Sequence, residues 1–137
     1  MYSEMIKNTK EISPTLINNS VDDYINILVD VNNYVKTQGA YFYHFLQPTL
    51  FTKNKLNKYE QMLLEKGEPF VPIQFIEPYK KSYPLIEIRL NNFDFSQSLT
   101  GIFDNLNESP FLDYCHVNHV GNKIISENIW NSISSKL

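Results

Sequence analysis

The chain has 137 residues, 42% of them hydrophobic and 20% charged, with a net charge of −3, a balance that suits one globular domain and disfavours extended disorder. It leaves no basic patch of the kind nucleic-acid binding requires, and Lys53, Lys55, Lys58, Lys80 and Lys81 read as a solvated face. A single cysteine excludes an internal disulfide, and no apolar run approaches the ~18 residues of a membrane span.

The N-terminal stretch carries Glu4, Glu11, Asp22 and Asp23 without a signal-peptide core, so the compartment expected by default is cytoplasmic. Residues 1–19 lack a clean period, and Pro14, Asn18 and Asn19 indicate an irregular lead-in. From Ser20 the pattern changes. Val21, Tyr24, Ile25, Leu28, Val31 and Val35 follow helical spacing, Ser20 suits an N-cap, Asp22 and Asp23 suit the first turn, and Gly39 suits the stop.

Residues 40–46 are an almost unbroken apolar run of strand length closed by Gln47 and Pro48, the pattern of a parallel strand covered on both faces. Residues 54–67 predict a second helix ended by Gly67. A third stretch, residues 70–79, is limited by Pro72 and Pro78. Ile86, Ile88 and Leu90 alternate with Glu87 and Arg89, which predicts an extended segment over residues 85–90. Phe93-Asp94-Phe95 is a short strand candidate, and residues 118–136 close the chain as a helix with Ile125, Ile129 and Ile133 at intervals of four. The class is α/β. A strand as apolar as residues 40–46 needs neighbours on both edges, yet only one or two short candidates exist. Either the topology is unusual or further strands come from elsewhere.

Asp113 and His116 stand three residues apart in a loop before the last helix. At that spacing a carboxylate reaches imidazole Nδ1–H and fixes the tautomer, leaving Nε2 to take a proton from a nucleophile. The plain alternative is that Asp113 caps the helix and His116 packs. Asp113, His116 and His119 form a second possibility, a metal cluster suited to Zn²⁺ or Mn²⁺. Cys115 reads as an inert half-buried thiol rather than a replacement nucleophile, because adjacent side chains in regular structure do not face each other. His44 reads as a satisfied core histidine. Gln47, at the carboxyl end of a strand, either lines a substrate cleft or merely ends the strand.

The run Phe111-Leu112-Asp113-Tyr114-Cys115-His116-Val117-Asn118, followed by His119 to Ile125, resembles the last block of the SGNH (GDSL-type) hydrolase superfamily, where Asp-x-x-His precedes the C-terminal helix. Tyr24-Ile25-Asn26, Gly39, the strand ending Phe45-Leu46-Gln47-Pro48-Thr49-Leu50, and Ile102-Phe103-Asp104 resemble the middle of SGNH-type esterases from bacterial surface-polysaccharide gene clusters. The resemblance implies the C-terminal half of a flavodoxin-like, three-layer α/β/α domain over residues 20–137, with an incomplete parallel sheet. It implies an ester hydrolase acting on a carbohydrate O-acyl ester, with His116 as base and Asp113 as its partner, and no cofactor.

The chain departs from that family in one respect. It has no Gly-Asp-Ser block, and none of its four glycines, at 39, 67, 101 and 121, fits the oxyanion-hole block. The expectation is a truncated or split esterase, inactive alone, with a partner chain as one source of the missing strands. The competing expectations are a non-catalytic interaction protein and a small metal-binding protein.

Overall fold

The computed structural model describes residues 12–67 and 73–136. Its first helix, α1, is Pro14–Thr37. The Ser13 hydroxyl accepts the Leu16 N–H at 3.1 Å, and Pro14 sits in the first turn, where its missing N–H leaves no bond unmade. Residues 14–19, expected to be irregular, are therefore helical, and Ser20 is an exposed interior position rather than the cap. Ile17, Val21, Ile25 and Leu28 form the buried stripe, continued by Asn32, while Val31 turns outward.

Gly39 adopts a φ of 71°, which favours glycine after a helix end. The chain then runs unpaired to β1, His44–Leu46, so only the last three residues of the expected strand over 40–46 join a ladder. The reason is the shortness of the neighbour. β1 pairs in parallel with β2, Ser96–Ser98, in the register His44 to Ser96, and the sheet has these two strands among the described residues. Tyr41 has no ladder to join and is 76% exposed. The strand expected at residues 93–95 lies three residues further on, at 96–98, because the Phe95 carbonyl accepts the His44 N–H at 2.8 Å and opens the ladder there.

The second helix, α2, is Lys58–Lys66. Asn57 and Glu60 form a reciprocal capping box, while Asn54, expected inside the helix, donates its N–H to Asp104 at 2.9 Å. Glu60 has a second task. Both its oxygens accept from Lys53 Nζ, at 2.7 and 2.9 Å, and the two side chains are 0% and 1% exposed.

The third helix, α3, runs Ile73–Leu90 through both Pro78 and Pro84. It replaces the expected break near residue 79 and the expected extended segment over 85–90; residues 70–72 lie outside the described residues. Each interior proline costs about 3 kcal/mol. Burial of Ile76, Tyr83, Ile86 and Leu90, at about 1.5 to 3 kcal/mol for each large side chain, offsets that cost. Ile88 points outward, so the alternation over 85–90 was the edge of a helical period sampled too briefly to be told from a strand.

The last helix, α4, is His119–Ile133, followed by a 3₁₀ turn at Ser134–Lys136, close to the expected 118–136. No helix of the described residues is long and apolar enough to cross a membrane.

Helices α1 and α3 cover the small sheet on the side of Leu46. Leu46 packs with Val21, Ile25 and Leu28 of α1 and with Tyr83, Ile86 and Leu90 of α3, and Asp22 pairs with Arg89 across the helices. Ser132 of α4 donates to Gln97. A second apolar cluster joins Leu50, Leu63, Ile76, Phe103 and Phe111. His44 is indeed satisfied within the fold: Nε2 meets the Tyr24 hydroxyl at 2.6 Å and Nδ1 meets Ser96 Oγ at 2.9 Å.

Two outcomes are expected. Lys53→Met leaves the Glu60 carboxylate buried without its cation, so urea unfolding should show a loss of about 3 to 5 kcal/mol; a loss under ~1 kcal/mol would show the pair to be no better than a surface contact. Burial lowers the His44 pKa, so the unfolded chain takes up this proton more readily than the folded one. The His44 contribution is complete above the unfolded value of about 6.5 and is lost as pH falls through the lower folded value. His44→Gln should flatten that part of the stability profile, and equal slopes in the two proteins would refute the assignment.

Candidate active site

The Asp-x-x-His segment is the turn of a miniature hairpin. Phe111 and Val117 form an antiparallel bridge, the Leu112 N–H donates to the His116 carbonyl at 2.8 Å, and the Asn118 N–H donates to the Pro110 carbonyl at 2.8 Å. Burial of Phe111 anchors one arm. Asn118 anchors the other, its Nδ2 donating to the Ser109 carbonyl at 3.1 Å while its Oδ1 accepts the N–H groups of Val120 and Gly121 at 3.0 Å each. Asn118, not Asp113, caps α4.

Freed from capping, Asp113 works inside the turn. Its Oδ1 accepts the Cys115 N–H at 2.9 Å and the His116 N–H at 2.7 Å, an Asx-type turn that fixes the carboxylate plane. Its Oδ2 lies 2.7 Å from His116 Nδ1. Burial alone pushes the Asp113 carboxyl up, but the His116 and Cys115 N–H groups and the imidazole together outweigh it and hold the pKa below the ordinary carboxylate value. Asp113 is thus an anion at neutral pH, and the contact with Nδ1 selects the Nδ1–H tautomer. The His116 side chain is 74% exposed, and its Nε2 has no hydrogen-bond partner among the described residues. The pair has the geometry of an orienter and a base.

The hairpin docks at the carboxyl end of the sheet, where the Leu50 N–H, past the end of β1, donates to the Tyr114 carbonyl at 2.8 Å. Gln47 is exposed immediately after β1 at that same end, although no contact joins it to the Asp–His pair among the described residues. Tyr114 stacks on Phe51, with ring centroids 5.9 Å apart, and meets Tyr79 edge-on at 6.1 Å; Tyr79 in turn stacks on Tyr83 at 5.2 Å. This aromatic seam underlies the turn, and no spacing rule along the chain points to it. At the opposite end of the sheet, a cavity of about 340 Å³ is lined by Asn32, Lys36, Tyr41, Phe42 and Asp94 among others, and it holds no comparable acid–base pair.

His119 opens α4 and is exposed. It stands outside the group that Asp113 and His116 form; Cys115 takes its place, since ligand atoms of Asp113, Cys115 and His116 all lie within 4.8 Å of one another. A tight turn allows neighbours 115 and 116 to converge where a strand or helix would not. Cys115 is nevertheless no nucleophile in this arrangement. Burial and the Asp113 carboxylate push its thiol up, against the opposing Tyr114 hydrogen bond, and the nearest imidazole nitrogen, Nδ1 at 3.8 Å, already serves Asp113.

Compared with protein-family models, with curated proteins and with solved structures, the chain matches none.

Gly121 keeps the hairpin against α4: a Cβ there would lie 2.7 Å from Val117 Cβ and 3.0 Å from Pro110 Cβ. A Gly→Ala change inside a helix ordinarily gains up to ~1 kcal/mol. Here the crowding reverses the sign, and Gly121→Ala should destabilise the fold by about 1 to 3 kcal/mol in urea unfolding. A stabilised variant would mean that the hairpin is not clamped at this point.

Proposed function

We propose that the chain is the C-terminal part of an SGNH-type, three-layer α/β acyl hydrolase, contributing the base and its orienter to hydrolysis of a carbohydrate O-acyl ester. The observation that carries this reading is the 2.7 Å contact between Asp113 Oδ2 and His116 Nδ1, combined with an Nε2 left open to solvent. The α/β class and the position of the pair at the carboxyl end of the parallel strands support it.

The chemistry divides between this chain and a nucleophilic serine outside its 137 residues. The serine hydroxyl attacks the acyl carbon while His116 Nε2 takes its proton. His116 then returns that proton to the departing sugar alkoxide, and Asp113 stabilises the imidazolium in between. Water repeats the sequence on the acyl-enzyme. General acid–base transfer of this kind contributes about 10² to 10⁴ in rate. The remainder requires oxyanion donors, and these too belong to the missing part.

The sheet is consistent with such a division. His44 and Leu46 spend their backbone groups on β2, so in a parallel ladder the peptide groups of Phe45 face the other edge. That edge suits a strand from another segment or chain. A non-catalytic interaction protein is the second reading, favoured by the same edge together with the exposed Ile27, Val31 and Tyr34 of α1. A stable monomer by size-exclusion chromatography counts against it.

The isolated chain should give no serine-type turnover of p-nitrophenyl acetate. Mixed with a chain bearing the Gly-Asp-Ser segment of an SGNH hydrolase, it should gain turnover that His116→Ala abolishes and Asp113→Asn lowers by about 10³- to 10⁴-fold. Turnover by the chain alone, or a complex whose turnover ignores His116, rules the reading out.

A further inference from the structure

The hairpin turn brings three different donor atoms together. Asp113 Oδ2 lies 2.7 Å from His116 Nδ1, Cys115 Sγ lies 3.8 Å from the same nitrogen, and one ligand atom from each of the three residues falls within 4.8 Å of the others. A tetrahedral zinc centre with bonds of about 2.0 Å to N or O and about 2.3 Å to S sets its ligand atoms roughly 3.3 to 3.6 Å apart. The sulfur is already near that spacing from the nitrogen. The carboxylate oxygen must open from the nitrogen by about half an ångström, and the sulfur and carboxylate, no more than 4.8 Å apart, must close to about 3.5 Å, movements that side-chain rotation about Cα–Cβ supplies.

We propose that Asp113, Cys115 and His116 form a binding site for a divalent transition-metal ion of the Zn²⁺ type, ligated through Oδ2, Sγ and Nδ1. The donor set fits such an ion better than Mg²⁺ or Ca²⁺, because thiolate and imidazole are soft or borderline ligands. The supporting contacts are those a metal site needs. Asp113 Oδ1 is held by the N–H groups of Cys115 and His116, which aims the other oxygen. The Phe111–Val117 bridge and the bond from the Leu112 N–H to the His116 carbonyl fix the turn that carries all three ligands. Three protein ligands beside an exposed imidazole leave a fourth position for water.

The proton balance is simple. The thiol releases one proton to solvent, the imidazole proton moves from Nδ1 to Nε2, and the ion takes the vacated Nδ1 lone pair. Metal and the Asp–His hydrogen bond therefore exclude each other, and a bound ion blocks Nε2 as a proton acceptor. This consequence for catalysis rests on the acyl-transfer reading, whereas the binding does not.

Titrating the purified 137-residue chain with Co²⁺, without any ester, tests the site directly. The expected result is a one-to-one complex with a near-ultraviolet thiolate-to-cobalt absorbance, displaced by Zn²⁺ and accompanied by release of one proton. Cys115→Ser should remove the absorbance, His116→Asn should weaken binding by roughly 10-fold or more, and His119→Ala should change neither. Unfolding curves identify any variant that has lost its fold, and the wild-type absorbance is informative by itself. Absence of that absorbance at saturating Co²⁺, binding indifferent to Cys115→Ser, or binding lost in His119→Ala overturns the proposal.

Discussion

Two strands of three residues each supply too few ladder bonds to hold a sheet together, so the molecule depends on the seam where α1 meets α3. Ile17, Val21, Ile25 and Leu28 from one helix and Tyr83, Ile86 and Leu90 from the other close over Leu46 and Phe95. That seam fixes where β1 ends, and the end of β1 fixes where Leu50 can hold the hairpin that carries Asp113 and His116. Placement of the chemistry is thus a remote consequence of helix packing.

The two histidines that matter illustrate how environment assigns a role. His44 is walled in between Tyr24 and Ser96, both nitrogens occupied, so it has no lone pair or proton to offer a substrate. His116 has one nitrogen tied to a carboxylate and the other free at the surface. The same side chain is a strut in one place and a candidate base in the other, and the difference lies wholly in the partners each fold position provides.

Much of this was readable from residue order alone, and the failures share a cause. The buried stripe of α1, the α/β class and the Asp113–His116 contact all depend on short-range spacing, which a sequence displays. The start of α1 is ambiguous in residue order, because Ser13-Pro14 and Ser20 both offer cap chemistry and only the packing of Ile17 decides between them. The sequence splits α3 near Pro78, a local signal against a helix, while the burial that overrides it is tertiary. The rule that separates Cys115 from His116 holds for regular backbone, and the Asx turn at Asp113 is not regular.

α3 touches both apolar clusters: Ile76 belongs to the one with Phe103 and Phe111, and Tyr83, Ile86 and Leu90 belong to the one with α1. Its two prolines fall in the stretch between Ile76 and Ile86, where the helix lacks two of its own hydrogen bonds. The strut that joins the two cores is therefore weakest between them. Cooperativity of opening should be limited there, so that backbone amides around the hairpin exchange with solvent through a smaller excursion than those beneath α1.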